Sequence, residues 1–274
     1  MDMPASGLGR KPVLRDLRRI RRFATSRAVS ALMLREMSTT YGRSPIGYLW
    51  AVLQPVAGIA LLTILFSLVL RAPPMGRSFQ VFYATGFIPF VVYQEVNSKL
   101  AMAIQFSRQL LVYPSVTMVD ALIARFVLNF LTQLLVAFVV LGGLLMLVEH
   151  QVVLDLPTIA LSFAMVAALS IGIGVMNAFL YGVLPSWVRV WAIINRPLFL
   201  ISGAIFLFDD IPQPYQDYLW YNPLVHPIGQ MRHGFYPYYE AAYVSPIYVF
   251  SLSFGLTALG LVFLRRYGLD ILNN

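Results

Sequence analysis

The chain has 274 residues, of which 59% are apolar and only 12% charged, with a mean hydropathy of +0.72. An ordinary soluble domain carries about 25% charged residues and needs more polar surface than this to cover its core. Soluble enzymes and nucleic-acid-binding domains are therefore disfavoured despite the net charge of +8, and an integral membrane protein with several spans remains. The chain has no cysteine, which excludes disulfides, zinc–thiolate sites, iron–sulfur clusters and cysteine nucleophiles.

Of the 20 Lys and Arg residues, 10 fall between Arg10 and Arg43, offset near there by Asp2, Asp16 and Glu36. No short apolar core follows the basic start, so it does not read as a secretory signal. Residues 1–49 read as a basic cytoplasmic arm with an interfacial helix. Leu17 and Ile20 share one side of a helix and arginines cover the rest, a pattern that lies on an anionic leaflet. A basic tail without helix is the alternative before Arg27. The less charged stretch 29–41 reads as an interfacial helix leading into the first span.

A bilayer core needs about 20 apolar residues in helix. Six stretches qualify: 50–70, 79–99, 126–148, 157–181, 190–208 and 247–264. Glu95 interrupts the end of the second, and Asn195, Arg196 and Pro197 interrupt the fifth. The fold class is thus all-α and integral to the membrane, with a six-helix domain over 50–274. An even count with a cytoplasmic N-terminus puts both termini inside. Arg108, Arg189, Arg265 and Arg266 then fall in cytoplasmic segments. The outer connections hold Glu149, Asp155, Asp209, Asp210, Asp217 and Glu240 against Arg71, Arg77 and Arg232. That asymmetry fits the positive-inside rule.

Two connections are too large for plain turns. In the cytoplasmic one, 105–113 reads as a short helix of mixed polarity stopped by Pro114. The outer one, 209–246, is too apolar for disorder, and loops of that length are usually functional. Within it, Asn222 followed by Pro223 predicts a helix start. Leu224, Ile228, Met231 and Phe235 then share one face and His226, Gln230 and His233 the other. This is a short amphipathic helix dipping into the outer leaflet, ending at Gly234 or before Pro237.

Polar residues inside a membrane need partners or water. Arg125, Asn129 and Gln133 follow at i, i+4 and i+8 on the third span, either as the wall of a hydrated translocation path or as hydrogen bonds between helices. Glu95 and Lys99 form an i, i+4 pair of structural character. Ser170, Gly174, Ala178 and Gly182 recur every four residues, as close helix packing requires, within the subunit or between two copies. His226 and His233 lack a third ligand, so no metal site is expected. Asp209 and Asp210 read as a cap. The chain has two lysines, Lys11 and Lys99, neither in a glycine pattern that cradles phosphate. If transport uses ATP, another polypeptide hydrolyses it. Trp220, Tyr221, Tyr236 and the other aromatics of 209–246 suit an interfacial belt and also stacking on sugar rings.

The run Ala31-Leu32-Met33-Leu34-Arg35-Glu36-Met37, then Tyr41-Gly42-Arg43-Ser44-Pro45-Ile46-Gly47-Tyr48-Leu49-Trp50 and Pro55, resembles the first segment of the ABC-2 type permeases that export polysaccharides. The likeness is closest to the capsular polysaccharide export subgroup. Ser202-Gly203 and Tyr221-Asn222-Pro223-Leu224 with Arg232 are similar to that family's later motifs, so the resemblance covers nearly the whole chain. It implies the ABC-2 exporter fold, a homodimer in the bacterial inner membrane, and a separate ATPase subunit that uses ATP and Mg, with no cofactor on this chain. It further implies that Gln105, Phe106, Arg108, Gln109, Leu111 and Tyr113 form the coupling helix received by the ATPase. Tyr41, Arg43, Tyr48 and Trp50 would line the entrance for a lipid-linked glycan. Trp220, Tyr221, Pro223, His226, Arg232 and Tyr236 would belong to the outer re-entrant exit, and envelope-spanning periplasmic and outer-membrane proteins would carry the glycan outward.

Exporters of O-antigen or teichoic-acid-type polymers share this architecture. A membrane-embedded acyl- or glycosyltransferase is the reading from a different class. It requires a catalytic His or acidic cluster inside the spans, and the spans contain no His.

Overall fold

The computed structural model describes residues 24–38, 46–111, 116–147 and 153–273. All regular structure among these residues is helical. In chain order the helices are α1 (Ala24–Glu36), α2 (Ile46–Ser67), α3 (Phe79–Ala101), α4 (Ala103–Leu111), α5 (Met118–Leu147), α6 (Leu156–Val183) and α7 (Trp187–Leu200). A 3-10 turn (Phe208–Asp210), α8 (Tyr215–Trp220), α9 (Val225–Phe235) and α10 (Pro246–Asn273) follow.

Four helices among the described residues are long and apolar enough to cross a membrane: Leu49–Ser67, Met118–Leu147, Leu156–Val183 and Pro246–Gly268. These are the first, third, fourth and sixth expected spans. Local signals set two of their starts. Thr117 and Asp120 cap α5 reciprocally, the carboxylate taking the Thr117 N–H at 2.9 Å and the Thr117 hydroxyl taking the Asp120 N–H at 3.1 Å. The helix therefore begins two turns before the expected residue 126. Asp155 caps α6, with Pro157 in its first turn.

The other two expected spans differ in kind. The helix expected over 79–99 forms as α3, and 16 of its 23 residues are buried. Protein surrounds it, so it carries Thr85 and Asn97 at 0% exposure and lacks the uniform apolarity of its neighbours. The stretch 190–208 is not one helix: α7 covers 14 residues, about 21 Å at 1.5 Å per residue, against a bilayer core of about 30 Å. It stops at Leu200, past Pro197 and ahead of Gly203, whose φ of 79° is a left-handed conformation.

The chain runs back and forth between two ends. At one, the ends of α3, α6 and α10 meet the start of α5 with α1 and α4, around Leu32, Leu100, Ile104, Leu122, Val175 and Leu264. At the other, α9 packs on α6 and α3, within a larger cluster that includes Phe82, Tyr83, Val140, Met165, Leu224 and Met231. Nine of the 11 residues of α9 are buried. The face expected to be polar is largely covered: His226 is fully buried, and Gln230 and His233 are half-buried.

α6 is the hub of the bundle, in contact with α3, α9 and α10. Its small residues make that possible. A Cβ on Gly174 would lie 2.8 Å from Leu100 of α3, and one on Gly182 2.6 Å from Ile271 of α10. The small-residue stripe thus packs within the chain at those positions. Gly172 is less forgiving, because its Cβ would lie 2.7 Å from a backbone atom, the oxygen of Ser253. Backbone cannot rotate aside, so Gly172→Ala forces α6 and α10 apart. Overpacking of this kind costs about 1–3 kcal/mol. Gly172→Ala should lower the thermal midpoint of the detergent-purified chain, whereas Gly255→Ala, with nothing within 4 Å, should not. Equal midpoints would contradict the close crossing.

Candidate functional site

At the α1 end, α5 presents Arg125 and Asn129 one turn apart, 6% and 5% exposed. Both reach Glu36, the last residue of α1, which is 3% exposed. Arg125 Nε lies 3.2 Å from each Glu36 carboxylate oxygen, and Asn129 Nδ2 donates to Oε1 at 3.3 Å. Arg125 Nη1 donates to the Lys99 carbonyl at 2.8 Å, which fastens the end of α3 to the same group. The guanidinium also lies on the Phe106 ring of α4, 4.1 Å from its centroid, and Arg35 approaches that ring at 5.6 Å. Arg125 and Asn129 thus make hydrogen bonds between helices. Gln133 is half-buried. Lys99 takes part through its backbone, and no Glu95–Lys99 ion pair forms among the described residues.

α4 is two-faced. Ala103, Ile104, Ser107 and Leu111 turn inward, while Gln105, Phe106, Arg108 and Gln109 are exposed. Gln105 Nε2 also donates to the Tyr181 carbonyl near the end of α6 at 3.4 Å. Trp50 on α2 is 62% exposed. Tyr41, Arg43 and Tyr113 lie outside the described residues, as does the side chain of Tyr48.

The opposite end is built around a second buried arginine. Arg232 on α9 is 1% exposed and donates to the carbonyls of Phe206 at 2.7 Å and Ala204 at 2.9 Å. Its guanidinium sits 4.4 Å from the centroid of Phe82 on α3. Asn222 Nδ2 donates to the Ile201 carbonyl at 2.8 Å. The carbonyls freed where α7 stops are thereby taken by the segment that the chain reaches next. Gly86 lets this irregular stretch lie directly on α3, since a Cβ there would stand 2.4 Å from the Ala204 oxygen. Asn222 does not cap α9 in the predicted register; its side chain accepts the Leu224 N–H at 3.1 Å, ahead of a helix that starts at Val225.

His226 is held at both nitrogens. The Ser245 N–H donates to Nδ1 at 3.2 Å, so the proton belongs on Nε2, which faces the Trp220 carbonyl at 3.0 Å. His233 Nδ1 meets the Tyr239 carbonyl. Among the described residues no group of three His, Cys, Asp or Glu could hold a metal ion. Trp220 donates to the Tyr243 carbonyl at 2.9 Å, and its ring packs on Tyr221, His226 and Tyr248 at 5.0–5.5 Å between centroids. Pro223 is half-buried. Tyr236 is buried, its ring lying against Gly76 of the α2–α3 connection. Burial pushes the phenols of Tyr239 and Tyr243 above their usual value, so both stay protonated. The aromatic set divides: these rings pack inward, while Tyr215, Tyr218, Tyr221 and Tyr238 are 67–74% exposed.

The profile of the ABC-2 type transporter family matches residues 27–236, which include both arginine centres and α4. The chain belongs to that family. It is therefore a membrane transport protein and not an enzyme. It is similar to the polysialic acid transport protein KpsM of Escherichia coli, 31% identical over 237 residues that cover 86% of this chain and 92% of the relative. It is also similar to the capsule polysaccharide export inner-membrane proteins CtrC of Neisseria meningitidis and BexB of Haemophilus influenzae. These are 23% and 21% identical over 241 residues, each covering 88% of this chain and 91% of the relative.

Sequence reasoning on this ABC-2 transporter found Arg125, Asn129 and Arg232 but missed Glu36, counted only as an offset to the basic arm. The signal was present: an acidic residue at the end of a weakly charged helix, with an intramembrane arginine still needing a partner. It also missed Asn97, which is fully buried with neither amide atom bonded among the described residues. Each buried carbonyl left unpaired costs about 1–3 kcal/mol. Arg232→Met should therefore lower the thermal midpoint of the purified chain well below that of the exposed Arg77→Met control, and Arg232→Lys should fall with it because an ammonium lacks the planar fork. Midpoints that match the control would show that the Ala204 and Phe206 carbonyls do not need this partner.

Proposed function

We propose that the chain is the membrane-spanning permease subunit of an ABC transporter that exports a lipid-linked capsular polysaccharide across the inner membrane. ATP, with its Mg, is hydrolysed on a separate ATPase subunit. What carries this reading is the likeness to three proteins named for polysialic acid transport or capsule polysaccharide export, in each case across more than nine-tenths of the relative's length. No observation favours an O-antigen or teichoic-acid-type polymer over a capsular one.

In this proposal the chain crosses the membrane six times, through α2, α3, α5, α6, α7 with residues 201–208, and α10. Irregular backbone is tolerated at membrane depth where protein covers it, and Ser202, Ala204, Leu207 and Phe208 are buried. The Lys and Arg bias puts both termini in the cytoplasm. A second copy completes the unit. α7 buries none of its residues within the chain and leaves Arg196 exposed, a poor face for lipid alone. Tyr41, Arg43, Tyr48 and Trp50 take in the lipid-linked glycan, and Gln133 faces the path beyond the Arg125–Asn129 pair. The region 209–246 forms the outer exit, where exposed Tyr215, Tyr218, Tyr221 and Tyr238 offer shallow stacking surfaces along which a polymer slides.

The exposed face of α4 docks the ATPase, with Gln105, Arg108 and Gln109 as its polar contacts. Replacing the three together (Gln105→Ala, Arg108→Glu, Gln109→Ala) should cut co-purification of the ATPase subunit by about tenfold or more, as removal of several interface contacts does, and abolish surface polysaccharide. Survival of both docking and export would contradict the docking role.

A further inference from the structure

We infer that the buried Arg125–Glu36 pair is the joint through which the ATPase-docking helix α4 moves the interfacial helix α1. Arg125 is thus a positioning residue for transport, and this inference rests on the reading of α4 given above. One guanidinium belongs to α5 and touches three other elements in three directions. Its Nε edge faces the Glu36 carboxylate of α1 at 3.2 Å, its Nη1 reaches the Lys99 carbonyl of α3 at 2.8 Å, and its face covers the Phe106 ring of α4 at 4.1 Å. A displacement of α4 that carries Phe106 must slide the ring off the cation or take the cation with it. If the cation moves, Glu36 follows, because pulling apart a buried ion pair is strongly disfavoured. Asn129 holds the same carboxylate from the next turn, so the carboxylate cannot swing independently of α5.

A need for stability alone does not account for this choice of residues. Well-packed apolar side chains commonly replace a buried ion pair without loss, and the surrounding cluster of Leu32, Leu100, Ile104, Ala121 and Leu122 is apolar. An ion pair adds a directional contact. An arginine adds a planar face that stacks on an aromatic ring while its edge stays engaged, which lysine cannot do. The position of Glu36 adds the consequence. It closes α1, and only a short stretch of chain, carrying Tyr41 and Arg43, separates it from Ile46 at the start of α2. Glu36 therefore lies on the chain that leads directly into the first span and the proposed substrate entrance.

The test uses the full chain assembled with its ATPase in proteoliposomes and reads polymer translocated per ATP hydrolysed. The absence of cysteine lets Met102→Cys, exposed just ahead of α4 and outside its docking contacts, report α4–ATPase proximity by cross-linking. The apolar double variant Glu36→Leu with Arg125→Met, and separately Arg125→Lys, should keep the cross-link and hydrolyse ATP within about twofold of the parent. Transport per ATP should fall by about tenfold in the first and several-fold in the second, the size of effect expected for loss of coupling between two sites. A cross-link with an unchanged ratio in both variants overturns the joint alone. No cross-link in the parent removes the docking reading and the joint with it. If the double variant does not assemble, Arg125→Lys decides by the same ratio, since it keeps the charge and the volume.

Discussion

A polar group left unpaired inside a bundle this apolar is costly, because the lipid around it offers no hydrogen bond. Two arginines meet that constraint, one at each end, and the architecture is arranged around them. Arg232 allows α7 to stop short, since it closes the Ala204 and Phe206 carbonyls while Asn222 closes that of Ile201. The chain can then run through a buried irregular stretch instead of completing a straight helix. Arg125 does the corresponding work at the α1 end, where it gathers a carboxylate, a helix-terminal carbonyl and an aromatic face. In both places the donor side chain is one that can satisfy several acceptors from a single planar group.

Between these centres the bundle is held by close approach. α6 passes α3 and α10 at glycines whose added Cβ atoms would strike Leu100, Ser253 and Ile271. Without a hydrophobic drive between helices in lipid, such contact supplies much of the association energy. α3 is enclosed by its neighbours over most of its length, so buried polar groups such as Thr85 and Asn97 sit inside protein and not against lipid. The apolar stretches of α2 and α10 show the opposite pattern and are mostly uncovered by the rest of the chain. The same sequence rule, apolarity over about 20 residues, thus marks the helices that meet lipid better than the one at the centre.

That difference explains which parts of the fold were legible beforehand. The helices at 46–67, 156–183 and 246–273 follow from long apolar runs with caps or prolines at their ends. The i, i+4 spacing of Arg125 and Asn129 correctly placed them side by side on one helix. Hydropathy could not distinguish a protein neighbour from a lipid one, which is why α3 read as an ordinary span and α9 as a half-exposed helix. The early end of α7 was hidden because it depends on acceptors at 201–206 meeting donors at 222 and 232. Glu36 stood in view as an acidic residue, but its pairing with Arg125 spans 89 residues of sequence. The motif pieces Ser202-Gly203 and Asn222 with Arg232, quoted separately for the family resemblance, meet in space. Their joint appearance is one physical feature.

Function follows from how the two ends are equipped. One end carries the amphipathic α4 and the Arg125–Glu36 joint; the other carries a folded aromatic cap with exposed tyrosines. As an ABC-2 family permease the chain is driven by a separate ATPase subunit. The most direct measurement is polymer translocation in proteoliposomes that contain this chain with or without its ATPase subunit, using a lipid-linked capsular polysaccharide. The account predicts translocation that requires this chain, the ATPase and hydrolysable ATP together. Polymer movement without the ATPase, or ATP-driven movement that persists when this chain is omitted, would contradict it.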